Sequence, residues 1–147
     1  MPKQPFTLEE FKAIYSKVPR LCVDIVVMAD DGLLLTKRAI EPRKGFWHMP
    51  GGTVLLDEPV EEAAVRVAKE ELGLDAKVES FLGYIEFFKE FKLEGGYGHA
   101  LSLVYLCQAG GGEILLDRQA DEYGYFRELP EKTVPEQKEF LRKSRLV

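Results

Sequence analysis

Gly51-Gly52-Thr53-Val54-Leu55-Leu56-Asp57-Glu58, followed by Arg66-Val67-Ala68-Lys69-Glu70-Glu71-Leu72-Gly73-Leu74, is the stretch whose reading decides how this chain folds and acts. Between the two pieces, Pro59 to Leu72 has helix-forming composition, with proline in the first turn and a stop at Gly73. On that helix residues 67, 70 and 71 project from one face, because positions three and four apart are surface neighbours. Glu70 and Glu71 can therefore both point at one spot near the glycine turn. A hard divalent cation such as Mg²⁺ takes oxygen ligands, and it usually shares its shell between one or two carboxylates and substrate phosphates. A glycine turn lets bare backbone approach such an ion or a phosphate with no Cβ in the way. Glu58 and Arg66 are placed to brace the turn by an ion pair across the start of the helix.

Outward from this stretch the chain reads as a mixed sheet with helices on both faces. Leu8, Phe11, Ile14, Tyr15 and Val18 recur at helical spacing, which predicts a helix over about 7–18 ended by Pro19. Val23 to Ala29 is a β-branched strand, Asp30-Asp31-Gly32 a tight turn, and Leu33 to Arg38 the returning strand of a hairpin. Phe46 to Met49 reads as a short strand stopped by Pro50-Gly51-Gly52. Lys77 to Lys92 predicts one long bent strand, then Gly95 to Gly98 a loop and His99 to Gln108 the next strand. Gly110 to Gly112 turn the chain toward a strand around Tyr123 to Arg127 and a C-terminal helix at about 134–145. There is no repeat, low-complexity segment or linker, so residues 1–147 read as one domain.

Composition narrows the function. A chain of 147 residues can bury about 68–70% of its unfolded surface without staples. The formal net charge of -5 argues against a general binder of nucleic acid or membrane surfaces, since no basic excess exists to release counterions. An anionic substrate must be met locally by Arg, Lys and metal. Cys22 and Cys107 sit among apolar neighbours and read as small buried hydrophobes. Without a signal-like or membrane-length apolar run in the sequence, a cytoplasmic location is expected. Tyr84, Phe87, Phe88, Phe91 and Tyr97 form an aromatic-rich stretch that reads as core or as a subunit interface, leaving a homodimer open. Trp47 is expected to pack beside the turn, and His48, alternating away from it, at a surface or rim.

The spacing of the central stretch resembles the Nudix box, G-x5-E-x7-R-E-U-x-E-E-x-G-U with U apolar. It runs here as Gly52, Glu58, Arg66, Val67, Ala68, Glu70, Glu71, Gly73 and Leu74, with Val67 standing where the family usually has a carboxylate. The resemblance implies an α/β/α sandwich, a divalent cation (Mg²⁺, or Mn²⁺) and hydrolysis of a nucleoside diphosphate linked to another group. The branch similar to GDP-mannose mannosyl hydrolases also lacks that carboxylate and cuts the sugar C–O bond. Helix 7–18, Asp24, Lys37-Arg38, Gly45-Phe46-Trp47 and the late Asp121-Glu122-Tyr123 look like that branch as well.

Carried over by position, Gly51 offers a backbone carbonyl to the metal, Glu71 a carboxylate, and Glu122 falls on a third ligand; Glu70, on the same helix face, is expected to hold the ion with them. Arg38 and Arg66 would neutralise the leaving diphosphate, and Asp24 would approach the sugar. Such a division suits charge stabilised on one leaving unit and a carboxylate near an oxocarbenium-like carbon. The branch places a histidine base where this chain has Tyr123, so Glu122 or Asp121 is the expected base, with Tyr123 against the substrate. The expectation is a hydrolase of a nucleotide sugar. The alternatives are cleavage of the P–O–P bridge and a nucleotide-binding module of weak turnover.

Overall fold

Thr7 opens the first helix with a reciprocal cap: its hydroxyl accepts from Glu10 N at 3.2 Å while Glu10 Oε1 accepts from Thr7 N at 3.0 Å. That arrangement satisfies two donors a helix start leaves unpaired. The structure, a computed structural model, describes residues 5–88, 98–110 and 112–147. Its elements are α1 (Leu8–Tyr15), β1 (Arg20–Ala29), β2 (Gly32–Arg38), β3 (Trp47–His48), β4 (Gly51–Thr53), α2 (Val60–Leu72), β5 (Ala76–Phe87), β6 (Ala100–Ala109), β7 (Ala120–Phe126) and α3 (Pro135–Lys143). Helix α1 is shorter than its apolar spacing suggested and has no buried residue. Among the described residues no helix is long and apolar enough to cross a membrane.

β1 organises the sheet. One edge pairs in parallel with β6 from Arg20↔Ala100 to Val27↔Cys107, and β5 closes that side antiparallel to β6. The other edge is divided. Its first half pairs with β4 (Cys22↔Thr53, Val23↔Gly52, Asp24↔Gly51), and its end turns through Asp30 and Asp31 into β2. β3 and β7 flank β2, giving seven strands with α2 and α3 packed against separate cores. A cleft of about 530 Å³ is lined by the first half of β1 (Arg20, Cys22, Asp24) and by β4.

The sandwich follows from alternation along β1. Val23, Ile25 and Val27 pack with Ala64, Val67, Ala68 and Leu72 of α2. Cys22 and Val26 face the second core, with Met49, Ile85, Phe87 and Leu141 of α3. Leu72 is fully buried, which stabilises the fold by about 1.5–3 kcal/mol. Helix α2 ends as its sequence suggested, with Gly73 at φ 69° and its N–H bonded back to Lys69 O.

Two sequence expectations need correction. Gly51 and Gly52 do not merely stop a strand; they are in β4, because β1 supplies a pairing edge 27 to 29 positions earlier. The β5 strand ends at Phe87, with shifts of register near Val78 and Phe81 that bend it. The rest of the expected strand and most of the glycine loop, residues 89–97, lie outside the described residues, as do Phe91 and Tyr97. Tyr84 and Phe88 are exposed and Phe87 is buried, while Cys22 and Cys107 are buried as expected and form no disulfide.

Candidate active site

Helix α2 carries two electrostatic systems one turn apart. In the first, Arg66 Nε meets Glu58 Oε2 at 2.7 Å and Nη2 meets Oε1 at 3.0 Å, a two-pronged pair. Nη2 also donates to the Thr53 carbonyl at 2.8 Å, and Nη1 to Glu70 Oε2 at 3.0 Å. Glu58 Oε1 in turn accepts from Leu55 N at 3.1 Å, so the loop from β4 into α2 is tied to one buried guanidinium. Burial pushes the Glu58 carboxyl up, but the hydrogen bonds and charge of Arg66 and the Leu55 amide prevail and hold it below the usual range. Arg66 itself is raised, chiefly by Glu58. The ion pair expected from the sequence is present. Its geometry commits Arg66 mainly to the fold, leaving it little to offer a departing diphosphate.

In the second system, Glu71 is buried against the floor of the cleft. Burial raises its carboxyl well above the ordinary range, and the nearby charges of Asp117 and Asp24 raise it further. Arg38 and the Gly51 backbone, which hydrogen-bonds to it, offset this only in part. The charges of Asp117 and Asp24 thus oppose ionisation of a carboxylate that is already buried, and a bound cation would relieve that opposition. A side chain at Gly51 has no room: a Cβ there would collide with the Asp24 carboxylate and stand 2.7 Å from the Val23 carbonyl oxygen. Among the described residues no group of three acidic, histidine or thiol side chains is placed to hold a metal ion by itself. An open arrangement of one or two carboxylates plus backbone is what Mg²⁺ sites usually offer, with substrate oxygens supplying the remainder. The donor set therefore fits a divalent ion.

The second core contributes to this floor. Gln137 of α3 is buried; its Oε1 accepts from Met49 N at 2.7 Å and its Nε2 donates to Asp24 Oδ2 at 3.4 Å. It thus clamps the β3–β4 corner and orients Asp24. His48 is buried as well, not at a rim; burial, then the Arg38 charge, lower it to about 3, so it is neutral. Trp47 packs edge-on against Phe126 at 4.8 Å.

Of the residues the sequence suggested, Asp24, Arg38, Gly51, Gly52, Arg66, Glu70 and Glu71 all line the cleft. Arg38 donates from Nε to the Pro42 carbonyl, which fixes its guanidinium at the cleft edge. Gly73 does its work at the far end of α2, and Glu58 beneath the loop. Val67 faces both the cleft and the α2 core, its Cγ2 lying 3.1 Å from where a Gly52 Cβ would be.

Asp121, Glu122 and Tyr123 are not brought in. Tyr123 pairs with Thr36 and Glu122 with Lys37, whose Nζ lies 3.8 Å from Glu122 Oε2 at an exposed position. None of the three lines the cleft. The register explains the correction: Glu122 lies opposite Lys37, not Arg38, and a bulge between these two residues shifts the pairing at Asp121. The segment ahead of β7 supplies Asp117, Arg118 and Gln119 to the cleft instead. Asp117 and Gln137 escaped the sequence reading. Their only local signals are a lone acid after Ile114-Leu115-Leu116 and a polar residue four before Leu141 on the apolar stripe of α3.

Comparison with known proteins bears on the family and the fold. The family model described as NUDIX domain matches residues 18–144. A protein of Haloferax volcanii named low-salt glycan biosynthesis protein Agl8 is 37% identical over 120 residues, covering 80% of this chain and 77% of the relative. A protein of Methanocaldococcus jannaschii named ADP-ribose pyrophosphatase is 39% identical over 109 residues, 74% of this chain and 62% of the relative. The crystal structure of a MutT NUDIX hydrolase from Burkholderia pseudomallei matches with a TM-score of 0.76 at 29% identity, over 86% of this chain and 98% of that one.

Proposed function

The chain belongs to the Nudix hydrolase family, and we propose that it hydrolyses a nucleotide sugar with Mg²⁺, breaking the bond between the sugar carbon and the diphosphate. The observation that carries this reading is the buried Glu71 carboxylate, whose ionisation the charges of Asp117 and Asp24 oppose, in a cleft lined also by a bare Gly51 and by Arg38. Glu71, Glu70 and the Gly51 carbonyl would hold the ion. Bound there, it would screen the negative charge of the departing diphosphate. Glu70 can serve only by sharing its carboxylate with Arg66.

The chain's own residues do the rest. Arg38 faces the diphosphate and draws its charge out of the scissile bond. Gln137 keeps Asp24 directed at the sugar side, where a carboxylate favours a carbon that develops positive charge. Asp117 takes the role expected of Glu122 or Asp121: it stands in the cleft and can accept the proton of an attacking water. His48, neutral and buried, supplies polarity without charge. A relative named for glycan biosynthesis supports a sugar-bearing substrate.

A second reading, cleavage of the P–O–P bridge, is favoured by the relative named ADP-ribose pyrophosphatase. Product analysis in heavy-oxygen water separates the two. The proposed route gives nucleoside diphosphate and labelled free sugar. Nucleoside monophosphate and sugar phosphate, with label on phosphorus, would reject it in favour of the bridge.

A further inference from the structure

Two buried side-chain hydroxyls, those of Thr36 and Ser102, have no hydrogen-bond partner among the described residues. Thr36 lies away from the cleft, whereas Ser102, 1% exposed, lines it. A buried hydroxyl left unpaired lowers stability, so its retention in a cleft wants an explanation. Ser102 lies in β6 between Ala100 and Val104 on the sheet face that carries Cys22 and Asp24; the parallel register pairs Cys22 with Ser102 and Asp24 with Val104. One pleat repeat along the strand, about 7 Å, therefore separates its row from the carboxylates.

The walls around this hydroxyl differ from the rest of the cleft. Phe87 and Ala100 stand beside it, and Phe6 and Phe11 bound the opening from the α1 side. Arg20 holds the two sides together: its guanidinium lies 5.8 Å over the Phe11 ring and its Nη1 donates to Thr53 Oγ1 at 3.1 Å. The cleft lining also includes a polar and basic set, Arg38, Arg43, Arg118 and Gln119. A sugar with a hydroxyl on nearly every carbon would leave those groups unmet among three phenylalanines. A flat heteroaromatic ring presents π faces to aromatic side chains and a polar edge to a single hydroxyl.

We infer that Ser102 is a specificity-determining residue whose hydroxyl hydrogen-bonds to the nucleobase of the substrate, seated in the aromatic recess between α1 and the sheet. The inference rests on the nucleotide reading of the same cleft. A hydroxyl kept unpaired for a ligand lowers stability in the free protein and contributes only when the ligand arrives.

The test is Ser102→Ala, measured on substrates that share sugar and diphosphate but differ in base, together with thermal unfolding. The expected result is a Tm unchanged or raised. For the preferred base kcat/KM falls about five- to tenfold, mostly through KM, as the loss of one neutral hydrogen bond dictates, and discrimination among bases flattens. An equal change for every base, or a Tm lowered by several degrees with discrimination intact, would assign the hydroxyl to the fold and overturn the inference. Calorimetric binding of nucleoside monophosphates, which have no diphosphate bond to break, reads the recess apart from catalysis. Weaker binding to Ser102→Ala for the preferred base supports the inference even if the proposed reaction fails, and equal binding or none to wild type overturns it. Wild-type turnover of no nucleotide sugar at all would reject the proposed function alone.

Discussion

Glu58 and Glu71 are both buried carboxylates serving the same helix, yet their environments are opposite. Glu58 meets a guanidinium on two prongs and a backbone amide, and is held ionised. Glu71 has its ionisation opposed by the charges of two more carboxylates. The difference teaches how to separate structural charge from functional charge inside one motif. A charge that is satisfied by the protein is part of the scaffold. A buried charge left unsatisfied points to something the protein binds. Arg66 and Glu70 form the seam between the two, since the guanidinium that completes the first system also grips a carboxylate at the edge of the second.

If the first system is scaffold, breaking it must unfold the protein before it alters chemistry. Arg66→Ala would leave Glu58, with a side chain 1% exposed, buried without its guanidinium partner; the expected loss is about 3–5 kcal/mol in chemical denaturation. A change within the surface range of about ±0.5 kcal/mol would erase the contrast. Glu71→Gln should do the reverse. Removing a crowded negative charge is expected to leave the metal-free protein as stable as wild type or more so. Metal-dependent turnover should drop at least about a hundredfold, since losing even a group that supports a ligand costs about 10–100-fold. Steady-state kinetics and thermal unfolding of the same preparation decide this. Retained turnover would remove the ion from Glu71, and reduced metal-free stability would make Glu71 scaffold too.

The parts of this architecture legible in the sequence are the local ones. The Asp30-Asp31 hairpin, the span of α2 between Pro59 and Gly73, and the Glu58–Arg66 pair all depend on spacings of a few residues along one element. The illegible parts depend on register and on packing between distant segments. Whether Gly51–Thr53 is a stop or a strand is decided by Cys22–Asp24, not by the glycines. Whether Asp121 and Glu122 reach the cleft is decided by their pairing with β2 and one bulge, and a shift of one residue reverses the face. Asp117 enters from a segment without regular structure, and Gln137 from a helix more than a hundred residues from the Asp24 it holds. A linear motif can identify the carboxylates that one helix carries. It cannot identify the partners that the fold folds back onto them.

The smallest expected effect concerns whether the negative charge around Glu71 is truly unmet, and His48 decides it. This histidine lines the same cleft, and if it carried a proton at neutral pH it would compensate the carboxylates and dissolve the contrast with Glu58. Its burial and the neighbouring Arg38 charge hold it neutral down to about pH 3. In the unfolded chain it takes up a proton near its ordinary value of 6.5. Between these two points the unfolded state binds more protons than the folded one, so acid favours unfolding. The contribution of His48 to pH dependence is thus absent above pH 6.5. Stability then declines as the pH falls from 6.5 toward 3, by up to about 1.4 kcal/mol per unit. His48→Gln, neutral throughout, should remove this slope between pH 6.5 and 5 whatever it does to stability at neutral pH. Denaturation of both proteins across that interval, free of divalent ions, measures the difference. Parallel curves would mean that His48 titrates alike in both states, and the cleft would then hold a cation beside the carboxylates below pH 6.5.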